Sequence, residues 1–587
     1  MNVFEASYLL RYLSAVIVIV VAAKLLYSAI RELAWAMRHS LRPAQGIFLL
    51  NNQTEGEAMS LPLYHTTSLG RGSSNDIRIH SSDVSRKHAQ IYRYDGDWYI
   101  RPQRLSAKVE VNGEELNGKR KLENRDTISL GGTDFVFVDE RAIAKSRGET
   151  YEEAIFDDRA FYRAVRRNSN PPYLEWVMMN LFTALCTFLL YFMIPKEMGV
   201  RKDFLIWTLG AVALIDLYFL IPPKILLYAD RILYLTCSHM MVIGLAIQAR
   251  LHLLGSYAFR EARDAGEILK AQDIAAGLFS GYRTQIIALL IGLFFLWIIA
   301  LIVYKTRFLE SMTLVCAILT PLLLLVTLIL GRGMETHGAN LWIYIGGQSI
   351  QLTEFAKITF LIPLASFFKN QPPLRIQIYF AGWAAGVFLL YLLLPDLGSI
   401  MILLPVTLLV FVVMTSEYLE TFLILVGASV MSVWAYSIFP HVRSRISGWT
   451  SIWTEVNDSN RQVVYGLQAI GRGEIFGRGL GNGSPGGIPL VESDMVFTVL
   501  LEEFGLIMGL ALVIFLFVIM LRATRTTVLA RDGFSSSLAL GLGAALFMEA
   551  FVVIGGTTGL IPLTGVTLPF IAQGGSSLLA KCFMLAI

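Results

Sequence analysis

The chain has 587 residues, of which 55% are hydrophobic and 16% charged, a balance beyond that of a soluble globular protein and suited to a polytopic membrane protein. A net charge of +4 gives no basis for a nucleic-acid partner. Cys186, Cys237, Cys316 and Cys582 each fall alone inside apolar runs, which argues against a disulfide framework or a thiolate metal site and leaves them as small core hydrophobes.

A bilayer span needs roughly 20 apolar residues. About a dozen candidate runs begin near Ser7, Tyr173, Phe204, Ile232, Gln285, Ser311, Thr353, Ile376, Ile400, Glu420, Asp494, Ser537 and Leu563. The first, Tyr8 to Ile30, is interrupted by Arg11 and Lys24 and lacks a small-residue cleavage site, so residues 1–45 read as an uncleaved anchor with a basic flank. Arg31, Arg38 and Arg42 follow it and predict that the chain beyond is cytoplasmic. Residues 46–139 break the membrane pattern with short alternating runs such as His88–Tyr94 and turn signals at Asp95-Gly96, Asn112-Gly113 and Gly131-Gly132, which predict a small all-β sandwich. A charged linker over 140–172 ends at Pro171-Pro172, which stops any helix before the membrane domain of residues 173–587.

Within the sandwich, Leu69-Gly70-Arg71, Asn75-Asp76-Ile77, Ser85-Arg86-Lys87-His88 and Val111-Asn112-Gly113 occur in an order that resembles a forkhead-associated (FHA) domain. The resemblance implies recognition of a threonine-phosphorylated protein, with Arg71 and Ser85 as phosphate ligands and Arg86 and Asn112 completing the peptide-binding set. A guanidinium and a hydroxyl suit a phosphate dianion through charge-assisted hydrogen bonds. Ala107 departs from the family, which usually has Asn there to fix the peptide backbone, and His88 reads as a structural residue.

Threading the spans from a cytoplasmic sandwich puts the segments around 331–353, 394–399 and 440–494 outside. Glu354 and Lys357 lie three apart on one helical face and can pair, as an ion pair of the bundle or as a substrate contact. Asp396 follows Pro395 at a break between apolar runs, where it can cap a helix or line a cavity. The long 440–494 loop carries Arg443, Arg445, Arg461, Arg472 and Arg478, the last two among closely spaced glycines that let backbone amides approach a phosphate. Asp494 closes that loop at the mouth of the next span. Ionisable groups at a membrane edge are costly and persist where they pair, line a wet cavity or act on a substrate.

From about Ile274 onward, Gly338–Trp342, Gln351–Lys357, Pro395–Ser399, Arg443–Ile446, Gln462, Gly471–Gly481, Ser493–Phe497, Glu502–Gly505 and Gly559–Ser577 resemble, in order, the shape, elongation, division and sporulation family of the RodA and FtsW type. That resemblance implies a bundle of about 12 core helices and a peptidoglycan glycosyltransferase of the bacterial cytoplasmic membrane that polymerises lipid II on its outer face. Asp494 matches the family's proposed catalytic Asp. Trp342, Glu354, Lys357 and Asp396 match its polar cavity, and Arg443, Arg445, Gln462, Arg472 and Arg478 fall at substrate-binding positions. Leu341, Leu352, Glu492 and Ala572-Gln573 depart from usual family residues. A class B penicillin-binding protein is the implied transpeptidase partner. A divalent cation, Mg or Mn, suits a diphosphate leaving group, although no ligand spacing for one is evident in the sequence. A lipid-linked precursor flippase and a non-enzymatic cell-wall scaffold are the rival readings.

Overall fold

The computed structural model describes the chain apart from residues 1–2, 40–46, 52–58, 104–106, 140–171, 221–229, 255–264, 333–339 and a scatter of single and paired loop positions. The charged linker and the first two residues of the Gly338–Trp342 motif lie outside the described residues. The chain divides into two compact units, Met1–Ala34 with Ser169–Ile587, and Trp35–Asn168.

The smaller unit is a β-sandwich. One sheet runs Met59–Pro62, Ile47–Asn51, Thr133–Asp139, Thr127–Leu130, Val109–Val111, Glu114–Glu115, and the other Ile77–Arg78, Thr66–Gly70, Ala89–Tyr94, Asp97–Pro102, Arg120–Leu122. Side chains alternate across each strand, so Val109 and Val111 or Trp98 and Ile100 point inward while the residues between them are less buried. These meet Leu69, Ile91, Ile128, Phe135 and Phe137 in one core, with the Trp98 and Phe137 rings 6.3 Å apart.

The larger unit is helical. In chain order it contains α1 (Val3–His39, which runs on into the other unit), α2 (Tyr173–Met193), α3 (Arg201–Leu220), α4 (Arg231–Leu254), α5 (Ile268–Lys305), α6 (Thr313–Leu330) and α7 (Leu352–Phe368). Then follow α8 (Leu374–Leu393), α9 (Leu397–Thr415), α10 (Tyr418–Ile438), the short α11 (Pro440–Thr450) and α12 (Arg461–Gly473), and finally α13 (Val496–Leu529), α14 (Gly533–Thr557) and α15 (Gly575–Ala586). Among the described residues, ten helices are long and apolar enough to cross a membrane; α15 is a shorter apolar helix of 12 residues, and α7 has 17 residues. Helices α4 and α14 are the most enclosed, and α10 stands at the rim with almost every large apolar side chain facing outward.

One feature differs from the sequence expectation and one adds to it. The run near Leu563 does not open a helix: residues 558–574 stay irregular and α15 starts only at Gly575. Pro562 and Pro569 remove backbone donors, and Gly559 and Gly565 hold left-handed φ values of 74° and 73°. The anchor helix packs on its neighbours. Helix α1 buries a stripe of Ala15, Val18, Ala22, Leu25 and Ala29, spaced three or four apart, within the membrane unit.

Candidate functional site

Successive spans reverse direction, so the connections at 394–396, 439–495 and 558–574 share one end of the bundle. The irregular 558–574 segment is the surface on which the others converge. The Arg445 guanidinium donates to the Leu563 carbonyl at 2.6 Å, and the Trp449 indole donates to the Gly559 carbonyl at 2.8 Å. The first turn of α9 packs so closely on Thr564 and Val566 that a side chain at Gly398 would collide with Val566. A methyl group built on Gly565 would stand 3.4 Å from Asp494 Oδ2. Asp396 from one connection, and Arg445 and Asp494 from the two ends of another, are therefore gathered around residues 563–566.

Asp396 caps α9: its Oδ1 accepts the Ser399 N–H at 3.0 Å and its Oδ2 the Ser399 hydroxyl at 2.8 Å. It is nevertheless buried in the cluster, and its charge acts on Lys357, Tyr391 and Arg445. The cap and the cavity wall are one residue. Burial pulls the Arg445 guanidinium below its ordinary pKa, while the charges of Asp396 and Asp494 oppose that pull. A half-buried cation between two carboxylates can receive an anionic group.

Beneath lies a buried quartet. Lys357 Nζ meets Glu354 at 2.9 Å and Glu549 at 3.2 Å, and Lys581 Nζ meets Glu354 at 2.5 Å and Glu549 at 2.7 Å. The expected Glu354–Lys357 pair is half of this square, contributed by α7. Glu549 comes from α14 and Lys581 from α15, and neither was singled out from the sequence. The signal was present, since each is an ionisable residue inside an apolar run.

Asp494 precedes α13, and α13 is broken. Gly505 has φ 81° and ψ 178°, and any side chain there would run into the backbone of Ile475 and Gly477. A break leaves backbone donors and acceptors without intrahelical partners. The glycine-rich loop supplies them. The N–H groups of Arg478 and Gly479 donate to the carbonyls of Glu502 and Glu503 at 2.9 Å, and those of Leu506 and Ile507 donate to the carbonyls of Glu474 and Ile475 at 3.0 and 3.2 Å. Buried Glu502 accepts from Arg472 at 2.7 Å, and buried Glu503 accepts from Arg250 at 2.7 Å and from the Gly481 N–H at 3.0 Å. The loop is thus a brace for the half-helix Val496–Phe504.

The remaining expected residues scatter. Arg443 is exposed and turns back to the Ser437 carbonyl at 2.9 Å, away from its neighbour Arg445. Arg472 is paired with Glu502, Arg478 is exposed, and Gln462 holds a buried Nε2 without a hydrogen-bond partner. Half-buried Trp342 forms an isolated backbone bridge with Arg332. Among the described residues, no group of three or more His, Cys, Asp or Glu could hold a metal.

In the sandwich, Arg71 and Ser85 lie side by side, the Arg71 N–H donating to the Ser85 carbonyl at 3.0 Å. Asn75 ties these loops together by donating from Nδ2 to the carbonyls of Gly72 and Arg86 at 2.8 and 2.6 Å. The Arg71 and Arg86 side chains are exposed. His88 is buried, accepting from the Ser85 N–H at Nδ1 and bonding the Lys108 carbonyl at Nε2. Asn112 sits at φ 54° in the Asn112-Gly113 turn; its amide donates to Asp126 and accepts from the Thr127 N–H, both at 2.8 Å. Ala107 is buried.

These features define an integral membrane protein that collects acids and bases at one end of a helical bundle and carries a small β-sandwich. The family described as cell cycle protein, of FtsW, RodA and SpoVE, matches residues 266–587, and the FHA domain matches residues 67–131. The first match spans more than half of the chain, and the chain belongs to that family. The peptidoglycan glycosyltransferase RodA of Mycobacterium tuberculosis is 28% identical over 432 residues, covering 70% of this chain and 88% of that protein. Stage V sporulation protein E of Bacillus subtilis is 33% identical over 265 residues, covering 44% and 72%. Among solved structures, a chain from a peptidoglycan synthase complex that coordinates polymerization and crosslinking matches 61% of this chain and 96% of its own length, at 23% identity and a TM-score of 0.49.

Proposed function

We propose that the chain, a peptidoglycan glycosyltransferase, joins lipid II disaccharides into β-1,4 glycan on the outer face of the bacterial cytoplasmic membrane, with Asp494 as general base. The acceptor hydroxyl passes its proton to the Asp494 carboxylate as its oxygen bonds the donor's anomeric carbon from the face opposite the leaving group. The bond from that carbon to the diphosphate oxygen breaks, and undecaprenyl diphosphate leaves with the electron pair. A diphosphate needs no protonation to depart, so a single base suffices and the anomeric centre inverts. Arg445 is the cation that steadies the departing charge.

The observation that carries this reading is the convergence of Asp494, Arg445 and Asp396 on residues 563–566 at one end of the bundle. Further support comes from α1, whose basic flank leads into the sandwich, and which approaches the Asp494 end at Ser7 and the opposite end of α13 at Glu32. That course favours a cytoplasmic sandwich and an outward-facing Asp494. A divalent cation would be held by the Asp494 carboxylate and would supply positive charge against the substrate's phosphates. Through Arg71, Ser85 and Arg86 the FHA domain binds a threonine-phosphorylated protein, and a class B penicillin-binding protein supplies crosslinking.

The test is polymerisation of purified lipid II by the full chain and by Asp494→Asn, with and without Mg or Mn. Glycan from the wild type and none from the variant supports the reading. Equal product from both would falsify the assignment of the base.

A further inference from the structure

The half-helix Val496–Phe504 that carries Asp494 is severed from the rest of α13 at Gly505, so its place is set by the brace of residues 474–483. That brace is held from three sides. On one side are the carbonyls and carboxylates of Glu502 and Glu503, which travel with the half-helix itself and cannot fix it in space. On a second is Arg250 of α4, which donates to the Gly483 carbonyl at 3.0 Å and to Glu503 at 2.7 Å. On the third is α1. The Ser7 hydroxyl donates to the Leu480 carbonyl at 2.6 Å, and Arg11 donates from Nη1 to the Gly477 carbonyl, also at 2.6 Å. The Arg11 guanidinium lies over the Tyr8 ring at 3.8 Å, the Tyr12 ring meets Phe476 at 4.8 Å in a tilted pair, and Gly479 approaches the Ser7 backbone too closely to carry a side chain.

Helix α1 is itself anchored at a distance. Twenty-five residues beyond Ser7, about 37 Å along a helix, buried Glu32 accepts from Arg522 at 2.7 Å in a cluster with Asp230 and Arg525. Lys24 pairs with Glu175 of α2 at 3.4 Å on the way. The family match begins at residue 266, so none of α1 belongs to it.

We propose that Ser7 and Arg11 of the N-terminal helix are positioning residues for glycan polymerisation, fixing the 474–483 brace and through it the half-helix that presents Asp494. The proposal rests on the assignment of Asp494 as the base. A carboxylate displaced by a fraction of an ångström still lets substrate bind but reacts more slowly. The double variant Ser7→Ala/Arg11→Ala in the full chain therefore lowers kcat for lipid II polymerisation by about tenfold and leaves KM within about twofold. Arg11→Lys, which keeps a donor for the Gly477 carbonyl, recovers most of that loss.

Amide hydrogen exchange at Arg478, Gly479, Leu506 and Ile507, measured on the same proteins, accelerates in the double variant and not in Arg11→Lys. Unchanged kcat with unchanged exchange overturns the proposal, as does an equal loss of kcat and melting temperature that Arg11→Lys fails to recover. If the wild type makes no more glycan than Asp494→Asn, the assignment of the base fails, and the exchange data alone decide whether α1 holds the brace.

Discussion

Two groups of charges lie near each other in the bundle and are built on opposite plans. The quartet of Glu354, Lys357, Glu549 and Lys581 is almost wholly buried, balanced in sign, and satisfied by its own members. The cluster of Asp396, Arg445 and Asp494 is partly open, and its cation spends its hydrogen bond on the Leu563 carbonyl rather than locking onto an acid. Closed pairing fixes helices against one another, whereas a partly exposed group at a membrane edge is available to a substrate.

The contrast is tested most severely at Asp494. Replacing it with Asn should lower lipid II polymerisation by roughly 100-fold or more while leaving the melting temperature near wild type. In the quartet the expectation reverses. Lys581→Met strands a buried glutamate and should cost about 3–5 kcal/mol of stability, read as a lower unfolding midpoint in detergent. The paired change Lys581→Met/Glu549→Leu should be milder than either single change, because no lone charge is left. A double variant as unstable as the sum of both would show that the square contributes more than mutual neutralisation.

Arg445→Ala should slow turnover by about tenfold or more with little effect on stability, and Arg445→Lys should recover only part, since a point charge does not reproduce a guanidinium. The smallest effect lies outside the membrane domain. Arg71→Ala should weaken a phosphothreonine peptide by about 1.5–3 kcal/mol, measured by titration, and leave glycan synthesis by the purified chain unaltered.

Much of this was legible in the sequence where the information is local. Apolar runs mark the spans, alternation and turn residues mark the sandwich, and Asp494 is conspicuous because it interrupts the approach to an apolar segment. What was not legible depends on partners far apart in the chain. Glu549 lies 192 residues from Lys357, and Lys581 lies 227 residues from Glu354, and no periodicity encodes such a meeting. The glycines between 471 and 483 suggested a phosphate cradle. Their observed setting is a close approach of backbone to the break at Gly505, a requirement that looks the same in a sequence. Arg443 and Arg445, two residues apart, seemed equivalent until the helical turn of α11 sent one to the surface and the other inward.

The quartet also bears on biogenesis. Helix α7 enters the bilayer with its acid and base one turn apart, able to neutralise each other from the outset. Helix α14 brings a lone acid and α15 a lone base, each penalised by about 2.5–3.5 kcal/mol on translocon scales if left facing lipid. Their integration becomes favourable only when they meet each other and α7, so α14 and α15 are accepted together, as a unit that checks the packing of α7 against them.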